Sequence, residues 1–378
     1  MREGWEYKRL GELCDIVMGQ SPMGNSINEN NGIEFHQGKT NFGDKFLMES
    51  GIYTTSPIRI AEKKTILLCV RAPVGIINIT ERQVCIGRGL SSLKPRLGLE
   101  LLYLYYCLLS KQNYFESNST GSTFKAISSK VINNTIIQFP SKSTQLSIVS
   151  ELDKLNELIR IKKEQLKDYD TLAQSIFYEM FGDPVENEKG WKVKKLGELC
   201  SKIGSGATPR GGNESYKDEG ISLIRSLNVY NNEFRRKDLA YIDDEQAAAL
   251  SNVTILEDDV LLNITGASVA RCCIVPSDLL PARVNQHVCI IRPLDNVLVP
   301  IFLNKVLTNI SYQIRLLALA RSKGATREAL PKSVVDSLLI PLPPLPLQHS
   351  FAQKIEQIEQ QKAAIQKTIT DLETLLAA

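Results

Sequence analysis

The chain repeats itself, and this repeat limits its possible folds more than any other feature of the sequence. Residues 5–14 return at 191–200 with seven of ten residues identical, 186 positions later. A longer segment, 121–172, aligns without a gap to 324–375, 203 positions later. The second copy has therefore gained 17 residues between these two anchors. Because the ends of the copies are alike and their middles differ, the 378 residues predict one scaffold used twice, each time around a different variable part.

Each copy ends in a segment whose apolar residues are spaced alternately by three and four. This heptad pattern predicts two long helices that pack through a coiled-coil seam. Each seam contains one lysine, Lys162 or Lys362. Such a lysine either helps to fix the register or extends its amine to solvent, and the sequence leaves both alternatives open. The seam residues predicted to make helix–helix or partner contacts are Leu152, Leu155, Ile159, Leu166, Tyr169, Ile355, Ile358, Ile365, Ile369 and Leu372.

The part of each copy that precedes its long helix mixes strand and helix patterns. Short apolar runs between turn residues predict strands. Two longer segments, 99–114 and 300–319, have the periodicity of helices buried on one side. The prolines in 341–346 predict an extended run. The strands are predicted within 65–79, 86–94, 136–140, 260–264, 288–291 and 338–341.

The order of these elements predicts an α+β protein with two similar globular domains and a pseudo-twofold internal repeat. The first long helix connects the two domains, and the second has no other element of similar length on which to pack. The two helices are therefore expected to be antiparallel, as a spacer of roughly 50 Å. The predicted boundaries are a globular domain at 1–143, a helix at 144–181, a second globular domain at 182–346 and a helix at 347–378.

Only the globular segments carry a net positive charge. Residues 1–140 carry a net charge of +4 and residues 185–344 carry +2. The helical segments 141–184 and 345–378 carry −2 and −1. The small total of +3 hides this division. If the chain binds a polyanion, the globular segments are expected to make the contacts.

Small, polar and basic loops recur at matching places in the two copies. Residues 19–22 and 204–210 both follow the repeated opening segment, and the overlapping counterparts 119–125 and 321–327 are again small and basic. Small residues let backbone N–H groups approach an anion, and the polar side chains suit phosphates or base edges. For any one loop, an ordinary solvent-exposed turn is the alternative. The predicted DNA-contacting residues are Gln20, Ser21, Gln37, Lys39, Arg71, Arg88, Thr123, Lys125, Thr208, Arg210, Arg225, Asn228, Lys323, Thr326 and Arg327.

The sequence offers no catalytic or metal-binding pattern. Eight cysteines occur without a Cys-x-x-Cys pair, which predicts reduced, buried thiols and no metal site. Residues 32–40 resemble a phosphate-binding loop, but five residues instead of four separate Gly32 from Gly38-Lys39-Thr40. No apolar run approaches the ~20 residues of a membrane span, and the start of the chain has no apolar signal segment. We therefore expect a non-catalytic, cytoplasmic protein.

The order of these motifs resembles type I restriction–modification specificity subunits over the whole chain. The resemblance is carried by Trp5 with Leu10-Gly11-Glu12-Leu13 and by Trp191 with Leu196-Gly197-Glu198-Leu199. It continues in Gly324-Ala325-Thr326-Arg327, in the proline-rich entry to the last helix, and in Met180-Phe181-Gly182-Asp183-Pro184. The first copy departs from the pattern, because Phe124 stands where the second copy has Arg327 and 139–143 is poorer in proline. A DNA role for Arg327 therefore carries over less well to the first copy, where Lys125 is a possible substitute.

The resemblance implies that each globular domain recognises one half of a bipartite double-stranded DNA site and that the helices set the spacing. It implies partners as well: two methyltransferase (modification) subunits and a motor–nuclease restriction subunit. S-adenosylmethionine, ATP and Mg would then bind to those partners and not to this chain. A coiled-coil adaptor that binds no DNA is the alternative function. An enzyme that acts alone is the third hypothesis, and the missing catalytic pattern argues against it.

Overall fold

Two long helices, Lys142–Phe181 and Leu345–Ala377, are shared between the two units into which the chain divides. Residues 1–161 with 369–378 form unit 1, and residues 162–368 form unit 2. The computed structural model describes residues 5–121, 125–321 and 328–377. Sheets and helices are mixed in both units, which confirms the predicted α+β class. The helices begin within two residues of the predicted positions, because the heptad pattern marks their length well.

Unit 1 contains a four-stranded antiparallel sheet that supports its other elements. All five residues of Thr65–Cys69 are buried, since this strand lies inside the sheet with both faces covered. Such a strand is a continuous apolar run and does not alternate. The strand order is Cys14–Met18, Leu90–Pro95, Thr65–Cys69 and Ile77–Thr80.

Unit 2 repeats this sheet with the same connectivity. All four residues of Val260–Asn263 are buried, as in the equivalent strand of unit 1. The strand order is Cys200–Ser205, Val288–Pro293, Val260–Asn263 and Cys272–Ile274.

Each unit also has a parallel strand pair next to this sheet. Ile33–His36 pairs with Val84–Ile86 in unit 1, and Ile221–Ile224 pairs with Ala282–Val284 in unit 2. The strands around these pairs differ between the units, as the unlike middles of the repeat lead one to expect. They are Ile27–Asn28, Tyr53–Thr54 and Ile60–Ala61 in unit 1, and Val229–Tyr230, Glu233–Phe234 and Ala240–Ile242 in unit 2.

The first and last strands of each globular part pair with each other. Glu6–Arg9 is antiparallel to Ile136–Phe139, and Lys192–Lys195 is antiparallel to Leu339–Leu342. The repeated Trp-containing opening segment and the strand before each long helix therefore form one small sheet. This pairing explains why the two ends of each copy resemble their counterparts most: they belong to the shared scaffold.

Two helix predictions need correction. The segment predicted as one helix at 99–114 forms Leu101–Leu109 and Gln112–Ser117, and 300–319 forms Pro300–Leu307 and Ile310–Arg321. In the second break, the Asn309 side chain accepts a hydrogen bond from the backbone N–H of Ser311 at 2.9 Å, which starts a new helix. The other short helices are Leu10–Leu13, Ser129–Asn134, Asp244–Ala249 and Lys332–Asp336. Short 3₁₀ turns lie at Gly24–Ser26, Lys39–Asn41, Leu196–Glu198, Gly212–Ser215, Ser226–Asn228, Ser251–Val253, Gly266–Ser268 and Ser277–Leu279.

The predicted extended run at 341–346 is also shorter than expected. The strand ends at Leu342, and the helix already begins at Leu345 with Pro346 in its first turn. Proline is tolerated there because the first backbone N–H groups of a helix have no partner inside it.

Within unit 2 the long helices run antiparallel and are anchored by aromatic rings. Phe177 lies against Phe351, and further along Asp170 meets Lys362. Phe181 and Phe302 complete the cluster, with centroid distances of 4.8 to 6.0 Å. None of the helices described is both long and apolar enough to cross a membrane. All ten predicted seam residues are buried or half-buried, led by Ile369 at 2% and Ile355 at 3% exposure.

Candidate nucleic-acid interface

In unit 1, loops from four strands meet at one end of the sheets. Gly87 N donates to the carbonyl oxygen of His36 at 2.8 Å, and Gln20 N donates to that of Ile86 at 3.0 Å. Val70 N donates to the carbonyl oxygen of Gly89 at 2.9 Å, which adds the loop containing Arg71. We call this surface edge 1: residues 19–22, 37–39, 70–72, 87–89 and 125.

Edge 1 brings together seven of the predicted DNA-contacting residues. Ser21 Oγ donates to Gln37 Oε1 at 2.8 Å. Ala72 N donates to the carbonyl oxygen of Lys125 at 3.1 Å, so that Lys125 joins the cluster. Among the residues that the structure describes, no cation of edge 1 forms an ion pair. The exposed side chains are Gln20, Gln37, Lys39, Arg71, Arg88 and Lys125, and Ser21 is half-buried.

Three glycines make this close packing of loops possible. A Cβ atom at Gly19 would lie 2.2 Å from the carbonyl oxygen of Gly87. One at Gly87 would lie 2.3 Å from Gln37 Oε1, and one at Gly89 would lie 2.4 Å from the backbone oxygen of Gln37. Because no side chain fits at these points, the backbone of edge 1 is closely interlocked.

Unit 2 forms the same arrangement from the equivalent segments. Asn285 N donates to the carbonyl oxygen of Ile224 at 2.9 Å, and Ala207 N donates to that of Val284 at 3.0 Å. A Cβ atom at Gly206 would lie 2.1 Å from the oxygen of Val284, which matches the close approach at Gly19. We call this surface edge 2: residues 206–210, 225–228, 265 and 285–287.

Edge 2 contains polar residues that the sequence did not single out. His287 Nδ1 lies 2.7 Å from Thr265 Oγ1, and Gln286 is exposed beside them. Of the predicted residues, Arg210 is exposed and Thr208 is half-buried. An alignment of the triplet 87–89 with the triplet 285–287 would have identified these positions in the sequence, because each triplet lies between two apolar runs.

Two of the residues predicted to contact DNA make hydrogen bonds within the domain at edge 2. Asn228 is fully buried, and its amide donates to the backbone oxygens of Arg235 and Lys237 at 2.9 and 3.2 Å. Its oxygen accepts from Arg225 N at 3.1 Å, so the side chain shapes the loop and is not presented at the surface. The Arg225 guanidinium donates to the carbonyl oxygen of Asp238 and is thus partly committed within the domain. Thr123, Lys323, Thr326 and Arg327 lie outside the described residues.

A buried ionic cluster lies next to edge 1. Arg82 donates to both carboxylate oxygens of Glu34, at 2.5 and 2.8 Å, and also to the carbonyl oxygen of Leu47 at 2.9 Å. Burial alone would raise the pKa of Glu34, but the bonds from Arg82 and from Ser50 N outweigh it and lower the pKa to about 2. Burial lowers the pKa of His36, 3.0 Å from Glu34. The cluster fastens the segment around residues 47–50 to the strand that leads into edge 1.

The described residues contain no group of three or more side chains suited to hold a metal ion. All eight cysteines are free, and burial raises the pKa of every one of them, to about 12 for Cys69 and Cys289. Such thiols remain protonated at neutral pH and are poor nucleophiles. The polar edges are therefore the best-formed candidate sites in the described parts of the chain.

The resemblance to known proteins covers both copies of the repeat. The sequence profile of the family described as type I restriction modification DNA specificity domain matches residues 2–168 and 188–374. The MjaIX specificity subunit of Methanocaldococcus jannaschii is 24% identical over 98% of this chain and 90% of its own length. The putative MjaX specificity subunit of the same organism is 34% identical, but the match spans 46% of this chain and 42% of that protein.

Solved structures share the fold. An S subunit of a type I restriction–modification system from M. genitalium covers 99% of this chain at 18% identity and a TM-score of 0.56. A chain from a study of complex assembly in the type I system covers 100% at 19% identity and a TM-score of 0.67. With one matched domain in each copy of its repeat, this chain belongs to the type I restriction–modification DNA specificity family.

Proposed function

We propose that this chain is the DNA sequence-specificity subunit of a type I restriction–modification complex. Each globular domain reads one half of a bipartite double-stranded DNA target through its polar edge. One observation carries the proposal: each unit forms an equivalent edge on equivalent sheets, but the two edges present different side chains. A duplicated scaffold with unlike contact residues suits a site whose halves differ in sequence. The family assignment supports this function over a coiled-coil adaptor that binds no DNA.

The chemistry of the edges suits nucleic acid. Edge 1 presents Lys39, Arg71, Arg88 and Lys125 without ion-pair partners among the described residues, next to the exposed amides of Gln20 and Gln37. Lysine and arginine attract the phosphate backbone, whereas arginine and amide side chains can also bond to base edges. Binding is expected to weaken steeply as the salt concentration rises, because each neutralised phosphate releases counterions.

In this proposal the long helices set the separation of the half-sites and present docking surfaces. Two methyltransferase subunits bind to them, and a motor–nuclease subunit joins for restriction. S-adenosylmethionine, ATP and Mg bind to those subunits, which supply the chemistry, and this chain contributes recognition without catalysis. The proposed target of this chain is DNA inside the cell, so we propose the same cytoplasmic location that the sequence predicts.

Mapping methylated bases tests the proposal. We expect cells that express this chain together with the methyltransferase subunit of the same system to carry methylation at one bipartite motif. Cells with the methyltransferase alone should lack it. A purified complex should protect two separated DNA patches, and protection should fall steeply between about 50 and 200 mM salt. If neither the motif nor the protection appears, the adaptor function replaces this one.

A further inference from the structure

The two edges share one turn whose exposed residue differs between the units. In unit 1, Leu90 N donates to the carbonyl oxygen of Gly87 at 3.0 Å, which closes a four-residue turn with Arg88 at its first central position. In unit 2, Val288 N donates to the carbonyl oxygen of Asn285 at 3.1 Å, and Gln286 takes the same position. Both turns leave the parallel strand pair and enter the antiparallel sheet. Arg88 and Gln286 are therefore structural equivalents.

Both turns are held firmly by their surroundings. The turn of unit 1 lies against Gln37 and Gly19, where no Cβ would fit, and Arg88 N points to Ser21 Oγ at 3.4 Å. In unit 2, Asn285 Oδ1 accepts from His287 N at 3.1 Å, and His287 is held in turn by Thr265. The backbone that carries the side chain is thus already ordered before binding. Less conformational entropy is therefore lost when the side chain binds.

The exposed side chains of the two turns are free to bind a ligand. Arg88 and Gln286 are exposed, and neither has a side-chain hydrogen bond or ion pair within 5–121, 125–321 and 328–377. Arg225, by contrast, already donates to a carbonyl oxygen of its own domain. A free guanidinium and a free carboxamide are the two groups best suited to bidentate recognition of bases.

We propose that Arg88 and Gln286 are the base-reading residues of the two domains, Arg88 for a guanine in one half-site and Gln286 for an adenine in the other. The inference rests on the proposed DNA-reading function and assigns its specificity to named positions. A guanidinium can donate twice to O6 and N7 of guanine, whereas a carboxamide can donate to N7 and accept from N6 of adenine. The flanking Lys39, Arg71 and Lys125 would then position the domain on phosphates, as flexible cations commonly do.

A methylation assay on a DNA library with both half-sites randomised tests this assignment. The complex with the methyltransferase subunit is compared for the wild-type chain, Arg88→Ala, Arg88→Lys and Gln286→Ala. We expect Arg88→Ala to relax one guanine position by roughly 5- to 150-fold and to leave the other half-site unchanged. Gln286→Ala should relax one adenine position in that other half-site. Arg88→Lys should keep much of the affinity but lose discrimination, because an ammonium lacks the planar fork.

The outcomes separate this inference from the function on which it rests. Lys63→Ala is the matched control, since Lys63 is exposed just before Thr65–Cys69, at the end of that strand away from edge 1. It should change no base preference. If Arg88→Ala lowers methylation of all sequences equally, or changes nothing, Arg88 is not a base reader and the assignment is wrong while the function stands. If the wild-type complex itself methylates all library sequences alike, the proposed function is wrong, and the assignment of Arg88 and Gln286 falls with it.

Discussion

Glu34 illustrates how a buried charge in this chain fastens a loop. Its carboxylate is 8% exposed, and it accepts hydrogen bonds from Arg82, from Ser50 N and from the ring of His36. A buried charge is stable only when such partners are present, and removal of one partner is costly. The cluster therefore links the variable segment of unit 1 to the strand whose end forms edge 1.

This cluster predicts a pH-dependent contribution to stability. The folded pKa of Glu34 is about 2, below its ordinary value of 4.5, so the contribution is complete above pH 4.5 and is lost as the pH falls towards 2. We expect Glu34→Gln to lower the free energy of unfolding at pH 7 by up to ~3 kcal/mol, and the difference from wild type to shrink at pH 3. Urea unfolding at both pH values measures it. Glu29→Gln, at an exposed site, is the control, and an equal difference at both pH values would contradict the role of the charge.

At the scale of elements, Lys362 resolves an alternative that the sequence left open. Its amine is bonded to Asp170 Oδ1 of the other long helix at 2.8 Å and to Glu359 at 3.2 Å. The side chain is 23% exposed, so it extends from the seam to a specific partner and not simply to solvent. Among the residues that the structure describes, Lys162 bonds only along its own helix, to Gln165 at 3.0 Å. The two seam lysines thus differ, and they also occupy different heptad positions, because the repeat aligns Lys162 with Ile365 and Lys362 with Ile159.

A double-mutant cycle measures the pairing of the helices. Lys362→Ala, Asp170→Ala and the double variant should show a coupling free energy of about 0.5 kcal/mol, because Asp170 is largely exposed and the pair is screened by solvent. Lys354→Ala, on the same helix but exposed, should show no coupling to Asp170→Ala. A coupling of zero for the Lys362 cycle would support simple extension to solvent.

Periodic elements could be predicted from the sequence, whereas the contacts between them could not. The heptads located both long helices, because their pattern depends only on local spacing. Asn228 was expected at the surface, and its burial depends on carbonyl groups seven and nine residues away. Gln286 and His287 were missed because their position depends on the pairing of Ala282–Val284 with Ile221–Ile224, about 60 residues earlier. The candidate site was thus predicted as a set of loops, and only tertiary pairing selects its residues.

At the scale of the whole molecule, the duplicated scaffold predicts that specificity is modular. Exchange of residues 1–140 for the corresponding segment of another specificity subunit should change only one half of the methylated motif. Exchange of residues 185–344 should change only the other half. The two edges differ, but the sheets that hold them have the same connectivity. Each exchanged segment should therefore still fold on an equivalent sheet. Sequencing of methylated sites in cells gives the result, and a change in both halves after one exchange would refute modular reading.

Unit 1 is formed by two separate segments of the chain, and this has a consequence for folding during synthesis. Unit 2 is a continuous stretch, 162–368, but unit 1 needs residues 369–378 as well as 1–161. A ribosome delivers the chain from its N-terminus, and domains generally fold as they emerge. Unit 2 has therefore received all its residues while unit 1 still lacks Ile369, a residue that is only 2% exposed in the finished protein. Unit 1 is therefore begun first and completed last, and the loss of residues 369–378 alone would leave unit 2 whole and unit 1 incomplete.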